Sequence, residues 1–147
     1  MEFTVSLFVR PPGQPLLREE DFAGAADLAS LLLPDAQAGL EIATESDRLL
    51  AYDALDALIR GVCIAGGRAL AEGGVLQTVS FEGFDSVTIE AFGETARFSC
   101  LDEAVSAPRE QALAALRGQA GRFGQLLQRV FPSDAERARD FNEFAAG

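Results

Sequence analysis

The sequence lacks histidine, lysine and tryptophan altogether, and it has a single tyrosine, Tyr52. Histidine is the side chain that most often transfers protons at neutral pH, so its absence excludes catalytic triads of the Ser-His-Asp type. Acid–base chemistry would therefore depend on carboxylates, on Tyr52 or on a cysteine. A catalytic pair of carboxylates is compatible with the sequence, although no spacing in it favours such a pair.

Cysteine is almost as scarce, since Cys63 and Cys100 are the two in the chain. Two cysteines cannot form a disulfide framework or a cysteine-rich zinc site, although they could form one disulfide. Because both have apolar neighbours in the sequence, we expect them to act as small core residues. The acidic residues also lack the spacing of a calcium-binding loop. We therefore expect neither a metal ion nor a cofactor.

Long apolar runs are missing as well. No fully apolar segment approaches the about 18 residues that a membrane-spanning helix needs. The N-terminal stretch MEFTVSLFVR has an acidic residue at position 2 and no long apolar run, unlike a signal peptide. We therefore expect a cytoplasmic protein that is not embedded in a membrane.

Negative charge is what the sequence has in excess. It carries 23 aspartates and glutamates against 12 arginines, which gives a net charge of −11. Such a surface repels nucleic-acid phosphates and anionic membranes and attracts basic proteins, although acidity can also serve solubility alone. The charge is −7 over residues 1–60, −5 over 61–107 and +1 over 108–147. We expect a basic protein partner to meet the first two-thirds of the chain.

The candidate partner-binding residues are acids of the first half of the chain and two residues of the loop EGFDS. They are Glu19, Glu20, Asp21, Asp35, Glu41, Glu45, Asp47, Phe84 and Asp85. Arg48 is the only basic residue between Glu19 and Asp56, so we expect the negative field there to be locally unbalanced. Phe84 stands among acids, where an apolar ring either contacts a partner or covers an edge of the core.

Hydrophobic periodicity divides the first half of the chain into strands and helices. Alternation over residues 2–9 predicts a strand with one buried face. Acids followed by apolar residues at helical spacing predict a helix over 19–33. Residues 39–52 suggest two short strands around a turn. A largely apolar helix is predicted over 53–72, ended by a pair of glycines.

The second half begins with three alternating segments, 75–81, 87–92 and 95–100, which predict an antiparallel meander. Gly93-Glu94, between the last two, suits a type II′ turn, because that turn needs glycine first. We expect residues 101–107 to be a linker.

Two helices follow this linker. Apolar residues at spacings of three and four after Pro108 predict a long helix that packs on the sheet, with Arg122 and Arg129 on its far side. The segment Ser133–Glu136 has the pattern of a capping box and predicts a last short helix.

The stretch GVCIAGGR, residues 61–68, has a glycine spacing similar to that of a phosphate-binding loop. Such a loop follows a strand and supplies a lysine and a hydroxyl residue, whereas this stretch lies within a predicted helix and has Arg68 and Ala69 there. We therefore interpret Gly61, Gly66 and Gly67 as positions where the helix approaches a sheet closely.

Together these segments predict a single α+β domain over residues 1–147, with an antiparallel sheet of about five to six strands and helices packed on one face. The predicted core residues lie on the inward faces of these elements. They are Leu58, Val62, Val79, Ile89 and Phe123, together with Phe3, Phe81 and Phe98.

In size, acidity, expected compartment and lack of catalytic groups, the sequence resembles the small acidic immunity proteins of bacterial toxin–immunity pairs, although no motif carries the likeness. The resemblance implies a non-catalytic inhibitor that covers the active site of one basic toxin. Two other functions fit the residues: a dimeric acidic chaperone for a secreted effector, and an enzyme that uses carboxylates such as Asp53 and Asp56. A toxin gene beside this one would favour the first.

Overall fold

The computed structural model describes residues 2–24, 28–33, 36–73, 77–80 and 86–147. Within these residues the chain forms eight strands in two four-stranded antiparallel sheets, together with six α-helices and one π-helical segment. The predicted α+β class is confirmed. The prediction of one sheet of about five to six strands is wrong. A helix separates two groups of strands along the chain, and each group forms its own sheet.

The first sheet is formed by the strands of the first half of the chain. Its region contains β1 (Thr4–Val9), β2 (Leu17–Arg18), α1 (Glu19–Phe22), α2 (Leu28–Leu31), β3 (Gln37–Ala43) and β4 (Arg48–Ala54). The strand order is β2-β1-β3-β4. Val5, Leu7 and Val9 alternate inward from β1, which confirms the predicted buried face. β3 and β4 are the two strands expected in residues 39–52, and they extend two residues beyond that range at each end. The single helix predicted over 19–33 is wrong, because α1 ends at Phe22 before a turn and α2 is a separate short helix.

A central helix, residues 55–72, connects the two sheets. It consists of α3 (Leu55–Leu58), a π-helical segment (Ile59–Ala65) and α4 (Gly66–Glu72). It begins later than predicted, because Asp53 and Ala54 still pair with β3. It ends at Gly73, whose φ of +75° suits glycine at a helix C-terminus.

The second sheet follows the central helix and consists of β5 (Gln77–Ser80), β6 (Ser86–Phe92), β7 (Thr95–Cys100) and β8 (Glu103–Pro108), in that order. The first three strands confirm the predicted meander. The prediction of a linker over residues 101–107 is wrong, because most of this segment forms β8. Val105 and Ala107 of β8 face the core. The segment EAVSAP has one β-branched residue and ends in proline, so pairing with β7 rather than local preference makes it a strand.

Helices α5 (Arg109–Val130) and α6 (Glu136–Ala146) follow β8 as predicted, and the structure shows that they pack against each other. Gly124 of α5 lies directly against Asn142 of α6. Because glycine has no side chain, the two helices can approach each other closely at this position. The capping box predicted at Ser133–Glu136 is wrong, since the helix starts after Ala135 and has no side-chain cap.

The glycines of the central helix lie at close contacts. A methyl group at Gly66 would overlap Ile89 Cδ1 of β6, and one at Gly61 would overlap Val79 of β5. These two glycines face the second sheet as interpreted, whereas Gly67 faces α6. Their amides lie inside a helix, where amides donate to carbonyls of the preceding turn rather than to a ligand.

The core joins the inner faces of both sheets with the central helix, α5 and α6. Leu58, Val62, Ile89 and Phe123 are buried as predicted, whereas Val79 is half-buried. In the described part of the chain, no helix is long and apolar enough to cross a bilayer.

Aromatic rings connect the parts of this core. The rings of Phe3 and Phe98, one from each sheet region, have centroids 5.4 Å apart. Phe123 of α5 meets Phe141 of α6 edge to face at 4.8 Å. Phe3, Phe98 and Phe123 are buried as predicted, and Phe81 lies outside the described residues.

Candidate protein-binding site

Helix α1 contacts β1 and β2 at the edge of the first sheet, and its Glu19 is hydrogen-bonded to α5. Within the described residues β2 pairs only with Phe8 and Val9, so the rest of the β1 edge has no strand beside it. Arg122 of α5 donates from Nη2 to the Val5 carbonyl at 3.3 Å. The guanidinium of Arg122 thus donates to a backbone carbonyl that, in a wider sheet, would accept from the amide of a neighbouring strand.

Glu19, Gln119 and Arg122 form a closed network at this edge. Glu19 Oε1 accepts from Gln119 Nε2 at 2.9 Å, and Glu19 Oε2 accepts from Arg122 Nε at 3.1 Å. Arg122 Nη2 also donates to Gln119 Oε1 at 2.8 Å. Gln119 is fully buried, and a buried amide needs such partners because it has lost its water. We call these three residues the polar seal.

A second arginine of α5 holds the far end of α1. Arg129 donates from Nη2 to the carbonyl of Ala23, which follows the last residue of α1. The prediction that Arg122 lies on the side of α5 away from the sheet is wrong, because its side chain reaches the Val5 carbonyl of β1, whereas Arg129 is exposed and contacts the segment after α1. Their long side chains reach back to α1, and Arg122 reaches β1.

The expectation of a locally unbalanced negative field is also wrong at Glu19. The carboxylate is paired with an arginine 103 positions later in the chain, which local charge counting could not include. Gln119, Arg122 and Arg129 are site residues that local sequence patterns did not identify. Their spacing of three and seven places them along one stripe of α5, and this spacing of three polar side chains was the available signal.

Two clefts of about 280 Å³ each open beside the polar seal and share Glu19, Ala23 and Arg122. The first extends along β1 and includes Glu20, and the second extends along α5 to Arg129. We call them together the α1 cleft. Each part is slightly smaller than the roughly 300–1,000 Å³ of most small-molecule sites.

The other predicted residues lie in several places. Glu20 and Asp21 are exposed on α1. Glu41 faces Arg48 across β3 and β4, with Oε2 3.5 Å from Nη1. Glu45 and Asp47 are exposed in the β3–β4 turn.

Local hydrogen bonds hold the β3–β4 turn. The amide of Thr44 donates to the carbonyl of Asp47 at 2.8 Å, and the amide of Asp47 donates to Thr44 Oγ1 at 3.2 Å. The turn therefore presents its two acids on a defined backbone. Asp35, Phe84 and Asp85 lie outside the described residues, so their roles stay predictions.

The acid–base candidates are dispersed. Asp53 Oδ1 accepts from the amide of Ala54 at 2.5 Å, and Asp56 is paired with Arg60. Asp53 and Asp56 line different clefts. Tyr52 is 43% exposed, beside the Asp53 cleft of about 430 Å³, and its ring covers Gly39.

Both cysteines are buried as free thiols, so they act as core residues as expected and do not form a disulfide. Burial raises the pKa of Cys63 to about 12, which keeps this side chain a neutral thiol at physiological pH. In the described residues, no group of three or more histidine, cysteine or acidic side chains is placed to hold a metal ion.

Arg60 forms a charged cluster that connects the central helix to α6. It bonds Asp56 at 3.0 Å through Nε and Asp140 at 2.8 Å through Nη1, and it lies over the ring of Phe141 at 4.8 Å. The hydrogen bond from Arg60 lowers the pKa of Asp140 and, in turn, raises the pKa of Arg60. The spacing of Asp56 and Arg60 was visible in the sequence, whereas Asp140 was not an expected partner.

Comparison of the chain with protein-family models, with curated proteins and with solved structures found no match.

Proposed function

We propose that this protein is a non-catalytic binding protein that inhibits a basic bacterial toxin by covering it with an acidic surface, as immunity proteins do. The observation that supports this proposal is the unequal use of charge. Arginines are engaged in contacts within the fold, whereas many acids stay exposed. The surplus negative charge therefore faces solvent, where it attracts a basic surface and speeds association.

Most of the arginines contact other residues of the same chain. In the described residues, five of them form ion pairs with acids of the same chain: Arg48, Arg60, Arg122, Arg137 and Arg139. Three more contact rings or a carbonyl: Arg18, Arg117 and Arg129. Eight of the 12 arginines thus have a partner within the same chain.

The exposed acids of α1 are presented on an anchored backbone. Phe22 is fully buried and Glu19 belongs to the polar seal, while Glu20 and Asp21 between them point to solvent. Because the helix is already fixed on both sides, little further ordering is needed when these two acids meet a partner. Pre-organisation of this kind favours binding.

The test uses the product of the neighbouring gene where that gene encodes a toxin domain. We expect the two purified proteins to form a stable complex by size-exclusion chromatography and the toxin to lose its activity at equimolar inhibitor. Full toxin activity in an excess of this protein contradicts the proposal. A dimer in isolation that binds the neighbouring product without inhibiting it would instead indicate the chaperone function.

A further inference from the structure

The turn between β7 and β8 has an unusual residue at its tip. Leu101 has a φ of +55°, and among the described residues it is the only non-glycine with a positive φ. A bulky side chain is disfavoured in this region because its Cβ crowds the backbone. Leu101 is also 78% exposed, more than any other large hydrophobic residue in the described part of the chain. It is thus unfavourable both in its backbone conformation and in its contact with water.

The same sheet contains a turn that avoids both costs. Between β6 and β7 the two linking residues are Gly93 and Glu94, and Gly93 has a φ of +58°. Between β7 and β8 they are Leu101 and Asp102. Both turns place a positive φ first and an acid second. Glycine is the ordinary residue for the first position of such a turn, so the fold does not require leucine at 101.

The surroundings of Leu101 match the proposed function. Asp102 and Glu103, the next two residues, are both exposed. The hairpin therefore presents an apolar side chain beside two acids at its tip. In protein interfaces a few side chains contribute most of the binding energy, and these are buried in a pocket of the partner and surrounded by contacts that exclude water.

We propose that Leu101 is an apolar anchor that inserts into a pocket with a basic rim on the partner protein, while Asp102 and Glu103 contact that rim. This inference rests on the proposed function and names a contact surface for it. The turn holds the leucine in its binding position before the partner arrives, which reduces the ordering needed on binding.

The experiment compares Leu101→Asn with wild type, because asparagine tolerates positive φ and removes the apolar group. We expect the dissociation constant for the neighbouring-gene toxin to rise at least about tenfold, chiefly through faster dissociation. We expect the melting temperature to stay within about 2 °C of wild type or to rise. Leu101→Met should keep binding near wild type, and Phe92→Ser, which removes another exposed apolar residue of this sheet, should not weaken it.

The outcomes separate this inference from the proposed function. If wild type binds and inhibits the toxin and Leu101→Asn binds equally well, the inference is overturned while the proposed function stands. A clear fall in the melting temperature of Leu101→Asn would overturn it too, because Leu101 would then hold the fold. If wild type neither binds nor inhibits the toxin, the proposed function is overturned, and the proposed role of Leu101 is overturned with it.

Discussion

Two contacts between the sheets and the helices, one at each sheet, depend on different chemistry. At the second sheet the contact is dry, since Gly66 of the central helix lies directly on Ile89 of β6. At the first sheet the edge is closed by the polar seal of Glu19, Gln119 and Arg122. A dry contact depends on matching shapes, whereas a polar closure depends on every partner being present. The two regions should therefore respond differently to substitution.

The largest effect is expected from Ile89→Ala, because it opens a cavity in the dry contact. We expect a loss of about 2–5 kcal/mol in the free energy of unfolding, measured by urea denaturation. Thr88→Ala, on the opposite face of β6, is the matched control and should cost much less. A loss below about 0.5 kcal/mol at Ile89 would mean that the inward face is assigned wrongly.

A double-mutant cycle sharpens the dry side of the comparison. Gly66→Ala should cost about 1–3 kcal/mol by overpacking, even though alanine favours a helix by about 1 kcal/mol over glycine. Ile89→Val removes the Cδ1 atom that the new methyl group would overlap. In that background Gly66→Ala should therefore be neutral or stabilising. Strictly additive unfolding free energies would contradict direct contact between the two positions.

The polar side is tested by Glu19→Ala. This change leaves the buried Gln119 amide without one partner, so we expect a loss of about 1–3 kcal/mol in urea denaturation. Glu20→Ala, at the next and exposed position, should change stability by less than about 0.5 kcal/mol. Equal effects at the two positions would show that the polar seal does not stabilise the fold.

A smaller effect on stability, but a clear one on binding, is expected from reversing Glu20 and Asp21 to arginine. Acids near a helix N-terminus contribute only about 0.3–1 kcal/mol each, so the domain should stay folded. Association with the toxin should slow, and for wild type it should slow between 50 and 500 mM salt, because exposed charges are screened beyond about 8 Å at physiological ionic strength.

The matched control reverses Glu110 and Glu143, two exposed acids of α5 and α6, and should leave association nearly unchanged. Arg122 and Arg129 are unsuitable controls, since both hold α1 in place. If neither salt nor the reversal of Glu20 and Asp21 changes the association rate, the electrostatic mechanism is wrong. The acidic surface would then serve solubility alone.

The smallest effect concerns pH and the Arg60 cluster. Because Arg60 lowers the pKa of Asp140, the folded state binds this proton less readily than the unfolded state does. The stabilisation is therefore present above the unfolded pKa of about 3.9 and is lost as pH falls through the lower folded value. The stability difference between wild type and Asp140→Asn should shrink below about pH 4, with Glu143→Gln as control. A difference that stays constant from pH 7 to pH 3 would contradict the pairing.

Much of the fold could be predicted from particular residues. The inward face of β1, the burial of Ile89 and Phe123 and the packing role of Gly66 all follow from local periodicity or from local backbone geometry. Less of the candidate site could be predicted. Glu19 was expected to be a free acid, yet its partners lie 100 and 103 positions away in the chain, on a helix whose placement the local pattern does not contain.

The sequence by itself determined the α+β class, most strands and helices, and the excess of negative charge, because these depend on residue type and on periods of two and 3.6 residues. Only the tertiary structure decided that the strands divide into two sheets, that EAVSAP pairs as β8, and that Arg122 of α5 pairs with Glu19 of α1. Such features depend on which distant segments meet. A backbone carbonyl at a sheet edge or a carboxylate can accept a hydrogen bond from any suitable donor. Which donor lies beside it is determined by the tertiary structure.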